Sequence, residues 1–174
     1  KENQLGYHIY FTSNHDENSW QGTEFERMKE AVKTMAVLNF TFDGMPLLYS
    51  GQEEPLKKRL RFFDKDTIPW NTYSFAPFYK TLFDLKQRSK ALGNGHAATA
   101  LHKIMDHKDI YAFKKEKEGQ SVVVILNLSG KNQTGILKED IPAMTEVFTQ
   151  KSSAFKKDQK INLHPWEYRV YSSN

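Results

Sequence analysis

The chain contains no cysteine, which excludes disulfides and thiolate metal sites and leaves its redox compartment open. No apolar run approaches the ~18 residues that a membrane-spanning helix requires, so no span is expected. Internal repeats and low-complexity tracts are absent too. Charge of one sign is lacking: 25 Lys and Arg stand against 21 Asp and Glu, a net +4, with both signs mixed along the sequence. The one dense basic run, Lys57-Lys58-Arg59-Leu60-Arg61, has no RNA- or DNA-binding signature around it. It reads as a solvated loop, and no nucleic-acid partner is expected. The start, Lys1-Glu2-Asn3-Gln4, shows neither an initiator Met nor a signal peptide, which fits a fragment or a mature product. Asn39, Asn127 and Asn132 each begin an Asn-x-Ser/Thr triplet, and these read as coincidences.

With 39% hydrophobic and 13% aromatic residues in 174, the composition is that of a globular chain able to bury a core, as one domain or two small ones. The texture changes near Gly93-Asn94-Gly95. Before that point strands alternate with long helices; after it come short strands and turns. The expected division is residues 1–95 and residues 96–174.

In the first part, Tyr7 to Thr12 reads as a strand. Thr23 and Glu26 stand at capping-box spacing, opening a helix with Phe25, Met28, Val32, Met35 and Ala36 on one face. Asp43-Gly44 turns the chain into a second strand, Pro46 to Ser50, apolar enough to be buried on both faces as parallel strands are. A charged loop runs from Gln52 to Trp70, and a helix follows from about Phe75 to Leu92. This is a βαβα unit with a right-handed crossover. In the second part, Asp109–Lys115 and Ser121–Leu128 form a hairpin about Glu118-Gly119. Further strands are expected near Thr134–Leu137, Thr145–Thr149, Lys160–Leu163 and Glu167–Tyr171, the pattern of an antiparallel sandwich or barrel.

The chemistry concentrates where the first strand ends, at Phe11-Thr12-Ser13-Asn14-His15-Asp16. An imidazole beside a carboxylate at the carboxyl end of a strand is where a parallel αβ barrel carries its catalytic groups. By itself Asn-His-Asp is a short motif, and its plain alternative is a solvated turn. Three further segments stand in order behind it: Gly44-Met45-Pro46-Leu47-Leu48-Tyr49-Ser50-Gly51-Gln52-Glu53, then Asp66-Thr67-Ile68-Pro69-Trp70, then Leu163-His164-Pro165-Trp166-Glu167-Tyr168-Arg169-Val170-Tyr171.

Together these resemble the C-terminal portion of the α-amylase family of glycoside hydrolases (family 13). The resemblance implies α/β plus all-β architecture: the last two βα units of a (β/α)8 barrel, then an antiparallel β-sandwich. It implies that Asp16 stabilises the transition state by binding sugar hydroxyls, and that His15 binds a hydroxyl at the same subsite. Asn14 and Trp20 are placed with the substrate-binding residues, Asn14 at most orienting the loop. Enzymes of this family are retaining and need a nucleophilic Asp and an acid/base Glu, both earlier in sequence than anything here. Glu17, Glu53 and Glu54 are the only other acids expected near the site, and Glu53 reads as structural support. Trp20 and Trp70 sit on loops above the strand ends; either stacks on a sugar or packs under its own loop. Trp166 reads as sandwich core.

His96, His102, His107 and His164 show no metal-ligand spacing, so no metal or cofactor is expected in this chain. The resemblance leaves calcium possible in the parent enzyme. The implied partners are an α-glucan or maltooligosaccharide and the absent barrel portion. The chain alone is expected to be catalytically inactive and prone to self-association. The competing reading is a non-catalytic starch- or oligosaccharide-binding module built on the sandwich. Localisation stays open among secreted, periplasmic and cytoplasmic settings.

Overall fold

A computed structural model of the chain describes residues 8–173. Tyr7, the expected start of the first strand, the run Lys1 to Gln4 and the side chain of His96 lie outside the described residues. The first part contains β1 (Ile9–Phe11), α1 (Glu24–Met28), a 3₁₀ turn at Lys29–Ala31, α2 (Val32–Thr41), β2 (Met45–Leu47) and α3 (Ala76–Arg88). β1 and β2 pair in parallel with Ile9 opposite Met45 and Phe11 opposite Leu47.

Both strands are shorter than their sequence pattern suggests, because backbone groups beyond them are taken by other partners. The Thr12 carbonyl accepts from Arg27 Nη2 at 2.6 Å. After β2 the chain tightens at once: Gln52 N donates to Tyr49 O, while Glu54 N and Leu56 N both donate to Gly51 O. Gly51 has φ +96, and an added Cβ would lie 2.8 Å from the Leu56 side chain, so the turn excludes any larger residue twice over.

The expected capping box forms. Glu26 N donates to Thr23 Oγ1 at 3.2 Å, and Thr23 N donates to Glu26 Oε2 at 2.7 Å. The helix it opens is broken, however, at Lys29, whose φ is +53. Beyond the break α2 is buried almost all round, through Val32, Thr34, Ala36, Val37, Phe40 and Thr41. Phe25, Met28 and Met35 of the expected stripe are only half-buried. Asn39 and Asn127 are buried, so neither sequon presents its amide to solvent.

The second part adds β3 (His102–Lys103), β4 (Ile110–Lys117), β5 (Gln120–Asn127), β6 (Gln133–Ile136), β7 (Ile141–Glu146), β8 (Ser152–Phe155), β9 (Lys160–Leu163) and β10 (Tyr168–Ser172). Six strands form one antiparallel sheet in the order β3-β4-β5-β10-β7-β8, and β6 pairs with β9 apart from it. The β4–β5 hairpin turns on Glu118 and Gly119, both at positive φ, as a two-residue hairpin requires. The strand expected at Thr145–Thr149 lies earlier, at β7. The Glu146 carboxylate accepts from Phe148 N (3.1 Å) and Thr149 N (2.6 Å), which closes a turn where a strand was expected. Trp166 is half-buried in the turn before β10 rather than in the core, and its carbonyl accepts from Thr34 Oγ1.

β5 shows why the sheet needs two covers. Val122, Val124 and Leu126 face one core with Phe113 and Val170, joined by Ala36, Val37 and Phe40 of α2 and Tyr79, Leu82 and Leu85 of α3. Val123 and Ile125 face the other, with Leu137, Ile161 and Leu163 from the β6–β9 side. The all-β layer is therefore covered by a strand pair on one face and by helices on the other. The first core runs across Gly93-Asn94-Gly95 without a break.

One surface stays open. The expected burial of Pro46 to Ser50 on both faces is not what the structure shows: Pro46 to Tyr49 are half-buried and Ser50 is exposed. In the same strand pair Ile9 is 54% exposed, Phe11 43% and Met45 39%. Beside them an apolar cleft of about 490 Å³ is lined by Tyr10, Phe11, Met28, Met35, Phe42 and Tyr111. An isolated chain with such a face is expected to self-associate. In sedimentation at high protein concentration the 174-residue chain should appear as oligomers, and Phe11→Ser should shift it toward monomer. A wild-type chain that stays monomeric there contradicts this.

Candidate active site

The site is built at the carboxyl end of β1. Beyond Phe11 the chain buries Thr12 and Ser13, then turns outward. Asn14 starts the next turn: its Oδ1 accepts from Glu17 N at 2.7 Å and its carbonyl from Asn18 N at 2.9 Å. These bonds satisfy amides that a helix start otherwise leaves unpaired. The turn continues as a π-type segment, Glu17–Gln21, closed by Gly22 N to Glu17 O at 2.9 Å. Such wide turns occur mostly as single-turn bulges in helices, frequently at functional sites. His15 and Asp16 sit at its head. Their side chains are 67% and 59% exposed, with His15 Nε2 3.5 Å from Asp16 Oδ2. The structure thus brings His15 and Asp16 together in solvent and gives the Asn14 side chain a capping bond.

Beneath this turn lies a buried polar cluster. Gln52 Nε2 donates to Glu24 Oε2 (2.7 Å) and reaches Thr12 Oγ1 (2.8 Å) and Tyr79 Oη (3.2 Å). Thr12 Oγ1 donates to Glu24 Oε2 at 3.2 Å, and Gln52 Oε1 accepts from Tyr49 N at 2.7 Å. Gln52 therefore ties the segment after β2 to the end of β1. Arg27 adds a second tie. Besides the Thr12 carbonyl it bonds Gly22 O through Nε at 2.9 Å, and Nη1 lies 3.5 Å from Glu17 Oε2.

Glu24 is an acid near the site that the sequence reading overlooked. It is 3% exposed, and its Oε1 and the Ser13 hydroxyl have no hydrogen-bond partner among the described residues. Both residues line a cavity of about 10 Å³ with Asn18, Tyr49 and Gln52. Burial pushes the Glu24 carboxyl up, while hydrogen bonds from Gln52 and Thr12 and the Arg27 charge pull it part of the way back. Burial likewise raises the Tyr79 phenol, reinforced by the charges of Glu24 and Glu53. An acid in a helix's first turn is ordinary on the surface, so nothing in the sequence marks this one as buried.

Glu53 lies on the Tyr79 side of the cluster. Its carbonyl accepts from Phe75 N at 2.9 Å, and its Oε2 is buried with no partner among the described residues. Glu54 is used up structurally: its carboxylate accepts from Asn71 N (3.0 Å) and Tyr73 N (2.7 Å), which lower its pKa. Trp70 stacks on Tyr73 at 5.2 Å with both rings partly exposed. Trp20, in the π-type segment, packs against Phe62 and Phe63 of the long loop, centroids 5.3 and 6.2 Å away. The basic run is not a patch. Arg59 makes bonds of 2.9 to 3.2 Å to the Glu26 carboxylate, and Lys58 pairs with Asp66. Among the described residues no three His, Asp or Glu side chains converge as metal ligands would.

The chain thus places a parallel strand pair, with a polar site at its carboxyl ends, on one core with an antiparallel β layer. Residues 110–170 match the C-terminal domain of the α-amylase SusG. A cyclomaltodextrinase from Thermoanaerobacter pseudethanolicus is 31% identical over 132 residues, covering 69% of this chain and 22% of the relative. Alpha-amylase 2 from Dictyoglomus thermophilum is 23% identical over 138 residues, covering 72% of this chain and 23% of the relative. Among solved structures, the maltogenic α-amylase AmyB of Thermotoga neapolitana superposes with a TM-score of 0.73 at 20% identity, covering 95% of this chain and 40% of that one. The chain belongs to the α-amylase family of glycoside hydrolases. It spans under a quarter of the length of the curated relatives it matches.

The raised Glu24 carboxyl has a testable sign. A group whose folded pKa exceeds its unfolded value stabilises the fold below the unfolded value and loses that contribution as pH rises through the folded one. Glu24→Gln fixes the neutral form. In the full-length protein its melting temperature relative to wild type should climb from pH 4.5 to pH 8, the window above the ordinary carboxyl value of 4.5. Glu24→Ala, which strips Gln52 and Thr12 of their acceptor, should cost ~1–3 kcal/mol. A Gln variant as unstable as the Ala variant at pH 8 contradicts this account.

Proposed function

We propose that this chain forms the last two βα units of a (β/α)8 barrel and the following β domain of a retaining α-glucan or α-glucoside hydrolase. β1 and β2 are then the final barrel strands, and the parts are residues 1–95 and residues 96–174. The observation that carries the reading is the placement of Asp16 and His15, exposed side by side where β1 ends, above a buried cluster that ties β1 to the segment after β2. Two solved neighbours bind acarbose and maltotriose, which supports an oligosaccharide as substrate.

In this role Asp16 accepts hydrogen bonds from hydroxyls of the sugar at the cleavage point, and His15 binds a hydroxyl of the same ring. Bonds that tighten as the ring flattens toward an oxocarbenium ion raise the rate rather than only the affinity. Retaining hydrolysis needs a nucleophile and a proton donor ~5–5.5 Å apart. The acids around Asp16 are placed for other work: Glu17 faces Arg27, Glu24 is buried under the turn, Glu53 has a buried oxygen on the Tyr79 side and Glu54 staples a loop. Both catalytic carboxylates therefore belong to the part of the relatives that this chain does not span. The open Ile9, Phe11 and Met45 face is where that part packs. Any calcium of the parent would lie there as well.

The binding-module alternative draws little support. Among the described residues the large exposed rings, including Phe11, Trp20, Phe62, Phe63, Trp70 and Tyr73, all precede residue 95.

Asp16→Asn in the full-length protein tests the proposal. It should lower kcat far more than it raises KM, a loss of ~3–5 kcal/mol for a charge-assisted bond in a water-poor site. His15→Ala should cost less, ~1–3 kcal/mol, for one hydrogen bond. The 174-residue chain alone should not turn over starch or an aryl α-glucoside. Full activity of the Asp16→Asn enzyme, or turnover by the isolated chain, contradicts the assignment.

A further inference from the structure

The long loop after β2 contains a feature that its charged composition hides. Phe62 and Phe63 stand at its tip with ring centroids 4.8 Å apart. Phe62 also stacks on His15, at 5.6 Å and 30°, and Trp20 leans on both phenylalanines. Phe63 is 84% exposed, Trp20 54% and Phe62 38%. Single exposed apolar residues are ordinary on protein surfaces; three contiguous large rings mark an interaction site.

The tip is also clamped. Asn18, 4% exposed, grips the loop backbone from below: its Nδ2 donates to Lys58 O (3.3 Å) and its Oδ1 accepts from Leu60 N (2.7 Å). Ser19 Oγ donates to Leu60 O at 2.7 Å. On the far side Asp66 accepts from Arg61 N at 3.0 Å and pairs with Lys58. Arg59 is anchored on Glu26. The backbone is thus fixed on both sides of two phenylalanines that are not folded inward. Because Asn18 and Ser19 belong to the same π-type segment as Trp20, the three rings are positioned relative to Asp16 by one rigid unit.

We propose that Phe63, Phe62 and Trp20 form a stacking wall that binds a further glucosyl unit beside the ring held by His15 and Asp16. The inference rests on the α-glucan reading above and extends it to chain-length preference. A pyranose has an apolar C–H face and a rim of hydroxyls. The rings match the face, and the exposed imidazole and carboxylate one contact away match the rim. The rings are tilted against one another by 44° to 76°, so the freely exposed face is that of Phe63, braced by Phe62 and Trp20. A ring held on a clamped backbone binds with little ordering cost, which favours affinity. Continuity with His15 sets the occupant: a sugar chain leaving the Asp16 position on that side meets these rings next.

The test uses the full-length protein, with maltotriose and maltoheptaose as probes. Phe63→Ala should fold with an unchanged melting temperature and raise KM for maltoheptaose about tenfold, the scale of one stacked ring. KM for maltotriose should rise much less, so the preference for the longer substrate shrinks. Phe63→Tyr should keep the preference. Calorimetry on Asp16→Asn, with and without Phe63→Ala, should show the same loss of maltoheptaose affinity without turnover. A lowered melting temperature with equal KM changes for both probes would show that these rings pack against the rest of the protein, and the inference fails. Unchanged KM for both probes also overturns it. If wild type neither binds nor cleaves either sugar, the α-glucan reading has failed and this inference falls with it. Normal glucan cleavage lost in Asp16→Asn but indifferent to Phe63 sinks the stacking wall alone.

Discussion

The side-chain amide of Gln52 is the constraint on which the site depends. It reaches from the turn after β2 to Glu24 and Thr12, so the carboxyl ends of two strands, otherwise joined by three residue pairs, are locked at their tips. Glu24 sits at the junction because its oxygen accepts from both Gln52 and Thr12, and Tyr79 brings α3 into the same cluster. Arg27 repeats the tie from the other side through the Thr12 carbonyl and Gly22. A polar cluster this well buried is costly to break, because each bond lost leaves another buried polar group unpaired. Exposed His15 and Asp16 gain their fixed position from it, although neither touches it directly.

A second dependence runs through β5. Its uninterrupted Val122–Leu126 run is possible only because both faces of the sheet are covered, one by the β6–β9 pair and the other by α2 and α3. The helices that carry the site's supporting residues are therefore also a wall of the β layer. Leu82 and Leu85, on the same helix as Tyr79, pack with Phe113 and Val122. α3 therefore packs on the β layer and, through Tyr79, also joins the polar cluster beneath the site.

Much of this was legible in the residues. The Thr23–Glu26 box, the Glu118-Gly119 hairpin and the extent of β9 follow local rules that need no tertiary information. The Asn-His-Asp turn was found because strand, motif and the later Gly-x-Pro-x-x-Tyr segment came in order. What escaped depends on partners distant in sequence. Glu24 looks like a surface acid until Gln52, 28 residues away, is placed on it. The break at Lys29 falls inside a good helical pattern, and β8 is too polar to signal a strand. Burial of both faces of Pro46–Ser50 was expected from its composition, yet among the described residues β1 is the one strand that pairs with β2. Phe62 and Phe63 were hidden by the charges on either side of them.

The most direct measurement is a structure of the full-length protein with a bound α-glucan inhibitor. The account requires Asp16 Oδ and a His15 ring nitrogen to lie within hydrogen-bond distance of hydroxyls on one sugar ring, with the Thr12–Glu24–Gln52 cluster intact beneath. An inhibitor seated elsewhere, with Asp16 and His15 facing only solvent, would contradict it.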